Sequence, residues 1–591
     1  MRTISAIITA LMLVLVSILI PPQGQSIEEI SIIENTYRRL DFFVKDIEGG
    51  EGEGFEPHII AGPGIDGNEW YYIDSPTGLG GGQSGNFWIS KDGGESWEAH
   101  PYGRNAGGSG DSYTVIAKDG TIYYTDLYLW SSTIDTSKDG GETWIRNPLA
   151  TVTRVGDRQW LRMGPTINPL PGMQAETVYL IYNDIPQGLV IQRSSWTSQG
   201  LVWVMGNNRM PVSTSAGSRD YFAVDPHDGT IYLPNKESGN DIICYVSTDG
   251  ANSFSRHPVM SADEDIQNIF IAADVDEAGN VYFAWSSQWH IYLGVSTDQG
   301  ANWKVTQVTD TNGTRVLPWV VAGDPGRAAL TWYDTPDEEG TSDEKADHVN
   351  WSVQAAITTD ALSDNISFII TPILDYVHSG SISTGGLGGE ADRDLGDFFT
   401  NDVDEKGRLI ITFGMDGADG LNQRGSAVMF AKQLEGPFLL ENVGPVALFD
   451  NTTRGLTVEV DGSRSYDQGG GGIVEYLWDW GDGSNGTGME ASHTYNESGK
   501  YEIRLKVINK EDMRDSTSEV ISVKGEKLGY DYTWLLLIVA VIIALVIIVF
   551  VYTKSSRKKV VEVETVAESP VLEEVMEVNV QEPEMDEGDL G

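Results

Sequence analysis

Ser90-Lys91-Asp92-Gly93-Gly94-Glu95-Ser96-Trp97 returns along the chain. Ser137-Lys138-Asp139-Gly140-Gly141-Glu142-Thr143-Trp144 repeats it almost residue for residue, and Ser296-Thr297-Asp298-Gln299-Gly300-Ala301-Asn302-Trp303 keeps the fixed positions of Ser-x-Asp-x-Gly-x-x-Trp. A fourth copy, Ser247-Thr248-Asp249-Gly250-Ala251-Asn252-Ser253-Phe254, has lost the second glycine and exchanged Trp for Phe. A fifth is nearly erased, with Gly200 and Trp203 in place but Trp196 and Ser198 where Ser and Asp belong.

Each copy follows an alternating apolar run such as Asn86-Phe87-Trp88-Ile89, which reads as a strand entering a tight turn. Short Ser and Asp side chains bond nearby backbone N–H groups, Gly supplies positive φ, and the aromatic at the start of the return strand folds back over the turn. This octamer resembles the Asp-box (BNR) repeat of sialidase-like β-propellers. The resemblance implies an all-β body of radial sheets. It also makes Ser90, Asp92, Gly94, Trp97, Ser137, Asp139, Gly141, Trp144, Ser247, Asp249, Ser296, Asp298, Gly300 and Trp303 structural turn residues on the blade periphery, away from any active site.

From Gly54 to about Leu440 the chain divides into units that share more than the octamer. Asp119-Gly120-Thr121-Ile122-Tyr123, Asp228-Gly229-Thr230-Ile231-Tyr232, Gly279-Asn280-Val281-Tyr282 and Gly407-Arg408-Leu409-Ile410 open a second strand in the same way. Units near Pro57, Tyr113, Trp160, Tyr221, Phe270, Trp319 and Phe399, at intervals of roughly fifty residues where intact, have the size of a four-stranded blade. They predict a seven-bladed propeller over 54–440, or a six-bladed one if the first unit only closes the ring.

At Pro445 the pattern changes. Tyr476-Leu477-Trp478-Asp479-Trp480-Gly481-Asp482-Gly483-Ser484, then His493-Thr494-Tyr495 and Gly499-Lys500-Tyr501, resemble a PKD domain, an immunoglobulin-like β-sandwich of extracellular proteins, over residues 445–523. Tyr476, Trp478 and Trp480 alternate onto one strand face, and Gly481-Asp482-Gly483 turns the chain back. The resemblance implies a spacer or contact module without catalysis.

The ends carry membrane signals. Residues 1–26, with Arg2 before an apolar run from Ile4 to Ile20, read as a secretory signal, and 27–53 as an acidic lead-in. Trp534 to Tyr552 contains no charge and, at ~1.5 Å per residue, just spans a ~30 Å hydrocarbon core. Lys554, Arg557, Lys558 and Lys559 follow it, which orients the chain as a single-pass type I cell-membrane protein with an acidic cytoplasmic tail at 553–591. A net charge of −48 over 591 residues argues against nucleic acid as a partner. Cys244 is the one cysteine, so no intrachain disulfide forms, and its apolar setting reads as core. Nothing calls for a partner copy, and the chain reads as a monomer.

Propellers bind ligands at the channel mouth, reached from the loops entering each innermost strand. Those entries carry Glu56, Asp111, Asp157, Arg158, Arg219, Asp220, Arg315 and Asp397, a mixed-charge ring that either receives a ligand or pairs internally to hold blades in register. A sialidase requires three arginines clamping a carboxylate, a Glu-activated Tyr and an acid Asp. Arg158, Arg219 and Arg315 imitate the clamp, with Asp111 or Asp157 as acid. The Arg-Ile-Pro type motif that opens the first blade in sialidases is missing, however, and Glu56-Pro57-His58-Ile59 stands in its place. No cofactor is called for. Calcium is the one metal suggested, by Glu390, Asp392 and Asp394 in a Gly-rich loop, with a solvated acidic loop as the other reading. Two functions follow: a membrane-anchored binding or adhesion protein recognising an extracellular glycan or protein, with the PKD domain as spacer, or a surface exo-glycosidase of sialidase-like type.

Overall fold

The computed structural model describes residues 40–48, 56–76, 78–79, 85–100, 108–128, 131–146, 156–167, 176–184, 188–197, 200–202, 210–211, 220–237, 240–261, 266, 270–287, 289–338, 340–383, 393–416, 426–441, 443–468, 471–525 and 533–556. The chain divides into two units, Met1–Gly525 and Glu526–Gly591.

Within the first unit the described strands form six four-stranded antiparallel sheets and one sheet of eight strands, beside one sheet of three strands and three of two. The six begin with strands His58–Pro63, Ser112–Ile116, Gly156–Pro165, Ala223–Val224, Ala272–Val275 and Thr314–Ala322, in chain order. In the large sheet, Thr400–Val403, Leu409–Asp416 and Ser426–Glu435 are joined by Asp41–Asp46, which pairs antiparallel with Ser426–Glu435. This corrects the reading of 27–53 as a lead-in, because its second half supplies the last strand of a seventh set of four. Leu40 and Ile47 are buried at its two ends, and Phe42, Phe43 and Val44 are half-buried along it. The run is short and charged at both ends, so its period-2 signal is weak.

Side chains tie each set to the next. Asp74 accepts from Thr114, Asp111 from the Arg158 amide, Asp220 from the Ile271 amide and Asp274 from the Ala322 amide. Arg162 donates to the Phe222 carbonyl and Asn401 to Thr331. Between the last set and the first, the Ile59 and Ala61 amides donate to Thr400 and Asp402 at 2.8 Å each. These bonds satisfy inner-strand groups that face a neighbouring sheet instead of a ladder partner.

The octamers close on themselves as their chemistry requires. The Ser hydroxyl accepts from the fifth residue's amide in all four copies, at 2.8–3.0 Å, and the Asp accepts from the seventh residue's amide at 2.8–2.9 Å. The fifth position needs positive φ. Gly94, Gly141 and Gly300 supply it without strain, whereas Ala251 is forced to φ 66° in the copy that lost its glycine. Of the nearly erased copy, Ser198 and Trp203 lie outside the described residues.

Another such turn escapes the sequence pattern. Thr358 donates to Asp360, and Asp360 accepts from the amide and hydroxyl of Ser367 at 2.9 and 2.7 Å. Phe368 then packs on the core where the octamers place Trp. Three extra residues between Asp and the return strand break the spacing while the chemistry survives. Asp298→Ala and Asp360→Ala should therefore each lower stability by about 1 kcal/mol, the typical worth of a side-chain cap on backbone amides. Asp364→Ala, on the same loop, should leave the melting curve unchanged, and differential scanning fluorimetry reads all three.

Residues from Pro445 to Val523 form the sandwich around buried Trp478, Trp480, Tyr495, Leu505 and Val507. Trp478 and Trp480 lie parallel at 5.9 Å, His493 stacks on Trp480, and Asp482 bonds His493 at 2.8 Å. The sandwich is stapled to the seventh set. Glu435 bridges Arg514 in the backbone ladder and takes the ammonium of Lys506 at 2.5 Å, while Arg514 reaches Asp41. Cys244 is buried in an apolar cluster, where burial pushes its thiol far up.

In the second unit, Thr533–Ser556 is the one described helix long and apolar enough to cross a membrane. The expected signal segment 1–26 and the tail beyond Ser556 lie outside the described residues.

Candidate functional site

The inner strands converge on a set of rings, one from each set of sheets. His58 faces Tyr113 at 3.7 Å, and Trp160 touches Tyr113, Tyr221, Phe270, Trp319 and Phe398 at 4.9–5.7 Å between centroids. These are the landmarks by which the sequence divides into units, with one shift. Phe398 meets Trp160, while Phe399 packs on Tyr333 in a neighbouring cluster. Trp160 is 1% exposed, so the aromatic layer fills the convergence point with side chains.

In Arg158-x-Trp160-x-Arg162 the spacing of two puts all three side chains on one strand face, so the two guanidiniums flank the ring layer along the strand direction. Arg158 is 3% exposed. Its Nη1 lies 2.9 Å from Glu56 Oε2 and 3.3 Å from Asp111 Oδ1, and its Nη2 lies 3.1 Å from Glu56 Oε1 and also pairs with Asp397. Arg393 adds a second cation, 2.9 Å from Asp397. The guanidinium also sits over the rings of Phe270 and Phe398.

Backbone strain aims these groups. Glu56, Arg158 and Leu317 each lie two residues before one of these rings and have φ of 51°, 59° and 55°. The ladder is irregular at two of these points, between Asp157 and Gln159 and between Val316 and Trp319. A bulge with positive φ at a bulky residue costs of order 1–3 kcal/mol and persists where surrounding contacts over-determine it. The bidentate Glu56–Arg158 pair is such a contact.

Three carboxylates against two guanidiniums leave a buried surplus of negative charge. Burial pushes Glu56 up, Arg158 pulls it down, and Asp111 and Asp397 raise it again, to about 8. The cluster thus retains a proton at neutral pH, and that proton belongs to the group as a whole.

On the other side of the rings, Arg162 stacks on Tyr221 at 4.4 Å and pairs with Asp274 at 3.1 Å. Asp402 lines the same small cavity of about 50 Å³, and burial carries its carboxyl up to about 7. Tyr113 and Tyr221 share a hydroxyl–hydroxyl hydrogen bond, and His58 bonds Asp74 at 2.8 Å.

Of the candidate ring, the structure brings together Glu56, Asp111, Arg158 and Asp397. Asp220 instead accepts from the Ile271 amide at 2.6 Å. Asp157 pairs with Asn183 in the ladder, its side chain lying outside the described residues, as does the whole of Arg219. Arg315 pairs with Asp334 at 2.6 Å and donates to the Trp289 and Thr311 carbonyls, with no described bond to the Arg158 cluster. Glu390 and Asp392 lie outside the described residues, and among those described no three His, Cys, Asp or Glu side chains are arranged to hold a metal. Sequence reasoning missed Arg393, Arg162, Asp274 and Asp402. The alternation from Arg158 to Arg162 was the available signal for one of them.

Comparison with known proteins places a PKD domain at residues 442–523, three residues longer at its start than expected. The pre-pro-metalloprotease PrtV of Vibrio cholerae is 29% identical over 127 residues, 22% of this chain and 13% of that protein, so the match spans about an eighth of the relative's length. The PKD1 domain of Vibrio anguillarum Epp is 33% identical, covering 14% of this chain and 99% of that domain at a TM-score of 0.14. A protein of unknown function from Dyadobacter fermentans is 13% identical over 66% of this chain and 98% of its own, at a TM-score of 0.36.

Proposed function

We propose that the seven sets of strands close into a seven-bladed propeller, and that the chain is an extracellular binding or adhesion protein held at the membrane by Thr533–Ser556. Inner-strand bonds from each set to the next, and from the last back to the first, support the ring. The ligand, a glycan or a protein surface, is met by the loops around the Arg158 face, with the PKD domain as the spacer. Its ion pairs to Asp41 and Glu435 would make that spacer fix the direction in which the propeller faces.

One observation carries the preference for binding over hydrolysis. Both Nη atoms of Arg158 are taken by Glu56, Asp111 and Asp397, and those of Arg315 by Trp289 and Thr311 with its Nε on Asp334, so neither guanidinium presents its fork to a substrate carboxylate. The proton held by the cluster is shared among its carboxyl groups, and Arg158 occupies both oxygens of Glu56, so no general acid is presented to a substrate. The test is a pair of assays on the full chain in detergent: retention on immobilised glycans, and release of chromophore from an aryl sialoside. Retention without turnover is the expected result. Turnover by the unsubstituted chain, abolished in Arg158→Lys assayed well below that variant's own melting temperature, would replace this reading with the glycosidase one.

A further inference from the structure

A groove of about 460 Å³ runs between the first set of sheets, the seventh set and the sandwich. It lies away from the ring-filled axis, at a junction of domains, where small-molecule sites concentrate, and its volume falls within the ~300–1,000 Å³ such sites occupy. Five cationic side chains face it on a chain of net charge −48: Lys91, Lys406, Arg408, Lys432 and Lys510.

Two of the five are structural. Arg408 is held by Asp404 at 2.6 Å and Tyr71 at 3.0 Å, and Lys432 by the Gly93 carbonyl at 2.7 Å and Glu95 at 3.3 Å. The others are available. Lys406 is half-buried and Lys510 exposed, and neither ammonium has a hydrogen bond or ion pair among the described residues. Lys91 has only a 3.8 Å approach to Glu98 and the face of Trp70.

The acids of the groove divide the same way. Asp92 is spent in its turn, Glu95 on Lys432 and Asp512 on Arg514. Glu69 accepts from the Glu405 amide at 2.6 Å, and burial and then Asp404 push its carboxyl up to about 8. Glu405 and Glu511 remain as acceptors. A half-buried lysine without a counter-ion is desolvated for no gain unless an anion completes it. The rest of the lining offers donors and acceptors with little apolar surface, which suits hydroxyl-rich chemistry.

We propose that this groove binds an acidic saccharide, a uronate-bearing unit of two to three sugars, with the carboxylate between Lys406 and Lys510 and ring hydroxyls on Glu405 and Glu511. The site is separate from the loops around Arg158, and a glycan engaged here would bridge propeller and sandwich. Isothermal titration of the full chain in detergent with trigalacturonic acid tests it, with maltotriose as neutral control and sodium sulfate as bare anion.

Trigalacturonate should bind at least tenfold tighter than either control. Lys406→Gln and Lys510→Gln should each weaken it at least fivefold, and both together should abolish it, with melting curves unchanged because neither ammonium has a described partner to lose. Raising NaCl from about 50 to about 500 mM should weaken it by about tenfold as screening increases. Binding that survives the double substitution, equal binding of maltotriose or sulfate, or no heat with any sugar would overturn the assignment.

Discussion

Replacing Arg158 with Met lowers the melting temperature by on the order of 5 °C at pH 8, and by clearly less at pH 5. The substitution keeps most of the side chain's volume over Phe270 and Phe398 but leaves Glu56, Asp111 and Asp397 facing one another with only Arg393 between them. Removing one partner of a buried ion pair costs about 3–5 kcal/mol, because the charges left behind have neither water nor a counter-ion. Spread over the unfolding entropy of a body this size, that cost becomes a shift of a few degrees.

The pH dependence separates this cause from lost packing. Glu56 is raised in the native state above the value of 4.5 it has when unperturbed, to about 8, so between these values the native protein holds a proton that the unfolded chain has released. Stability contributed by that group is therefore complete below about 4.5 and declines as pH rises through 8. Arg158→Met should steepen the decline, since carboxylates deprived of their cation bind protons more tightly still. A packing loss would shift the melting temperature equally at both pH values, and an equal shift would sink the electrostatic account. Arg158→Lys, which keeps the charge but loses the bidentate geometry, should fall between the two.

What the sequence disclosed follows from which contacts are local. An octamer turn is closed by bonds between residues two and four apart, so Ser90, Asp92 and Gly94 announce it in any context, and the PKD stretch from Tyr476 to Ser484 does likewise. The candidate ring was partly legible because each inner strand opens on a polar residue, but its pairing was not. Glu56 meets Asp397 across 341 positions, and no short pattern encodes that contact. Asp360 stayed hidden for the opposite reason, since three inserted residues altered the spacing and left the hydrogen bonds intact. Arg393 lies four residues before Asp397 in a stretch read as a calcium loop, and there its guanidinium joins the acids in an ion-pair cluster.

The strand Asp41–Asp46 was least visible of all, and its removal should have the largest effect of any change considered. A chain beginning at Glu48 is expected to lose its cooperative melt and to aggregate, whereas one beginning at Leu40 should melt like the full protein. Leu40 and Ile47 are buried, and full burial of such side chains contributes about 1.5–3 kcal/mol each, with Phe42, Phe43 and Val44 adding partial shares. The total, on the order of 5–10 kcal/mol, rivals the whole stability of an ordinary domain. The loss would also uncover the edge of Ser426–Glu435, a ten-residue strand with Val428, Phe430 and Ala431 buried, which is a template for pairing with another chain. Asp41 leaves with the strand, so Arg514 and Lys506 lose a partner at the sandwich junction.

Complementation distinguishes this account from a general intolerance of truncation. A synthetic peptide covering Leu40–Glu48, added to the shortened chain during refolding, should restore the cooperative melt in a concentration-dependent way, because the register Phe43 to Lys432 and Val44 to Ala431 needs no covalent link. The same peptide with Lys45→Pro should not, because Lys45 faces Phe430 at the hydrogen-bonded position two residues before the Ile47 amide, which donates to the Val428 carbonyl, and proline removes that ladder donor. If the shortened chain melts within two or three degrees of the full one, the strand is an ornament on a closed body and the seventh set stands on three strands.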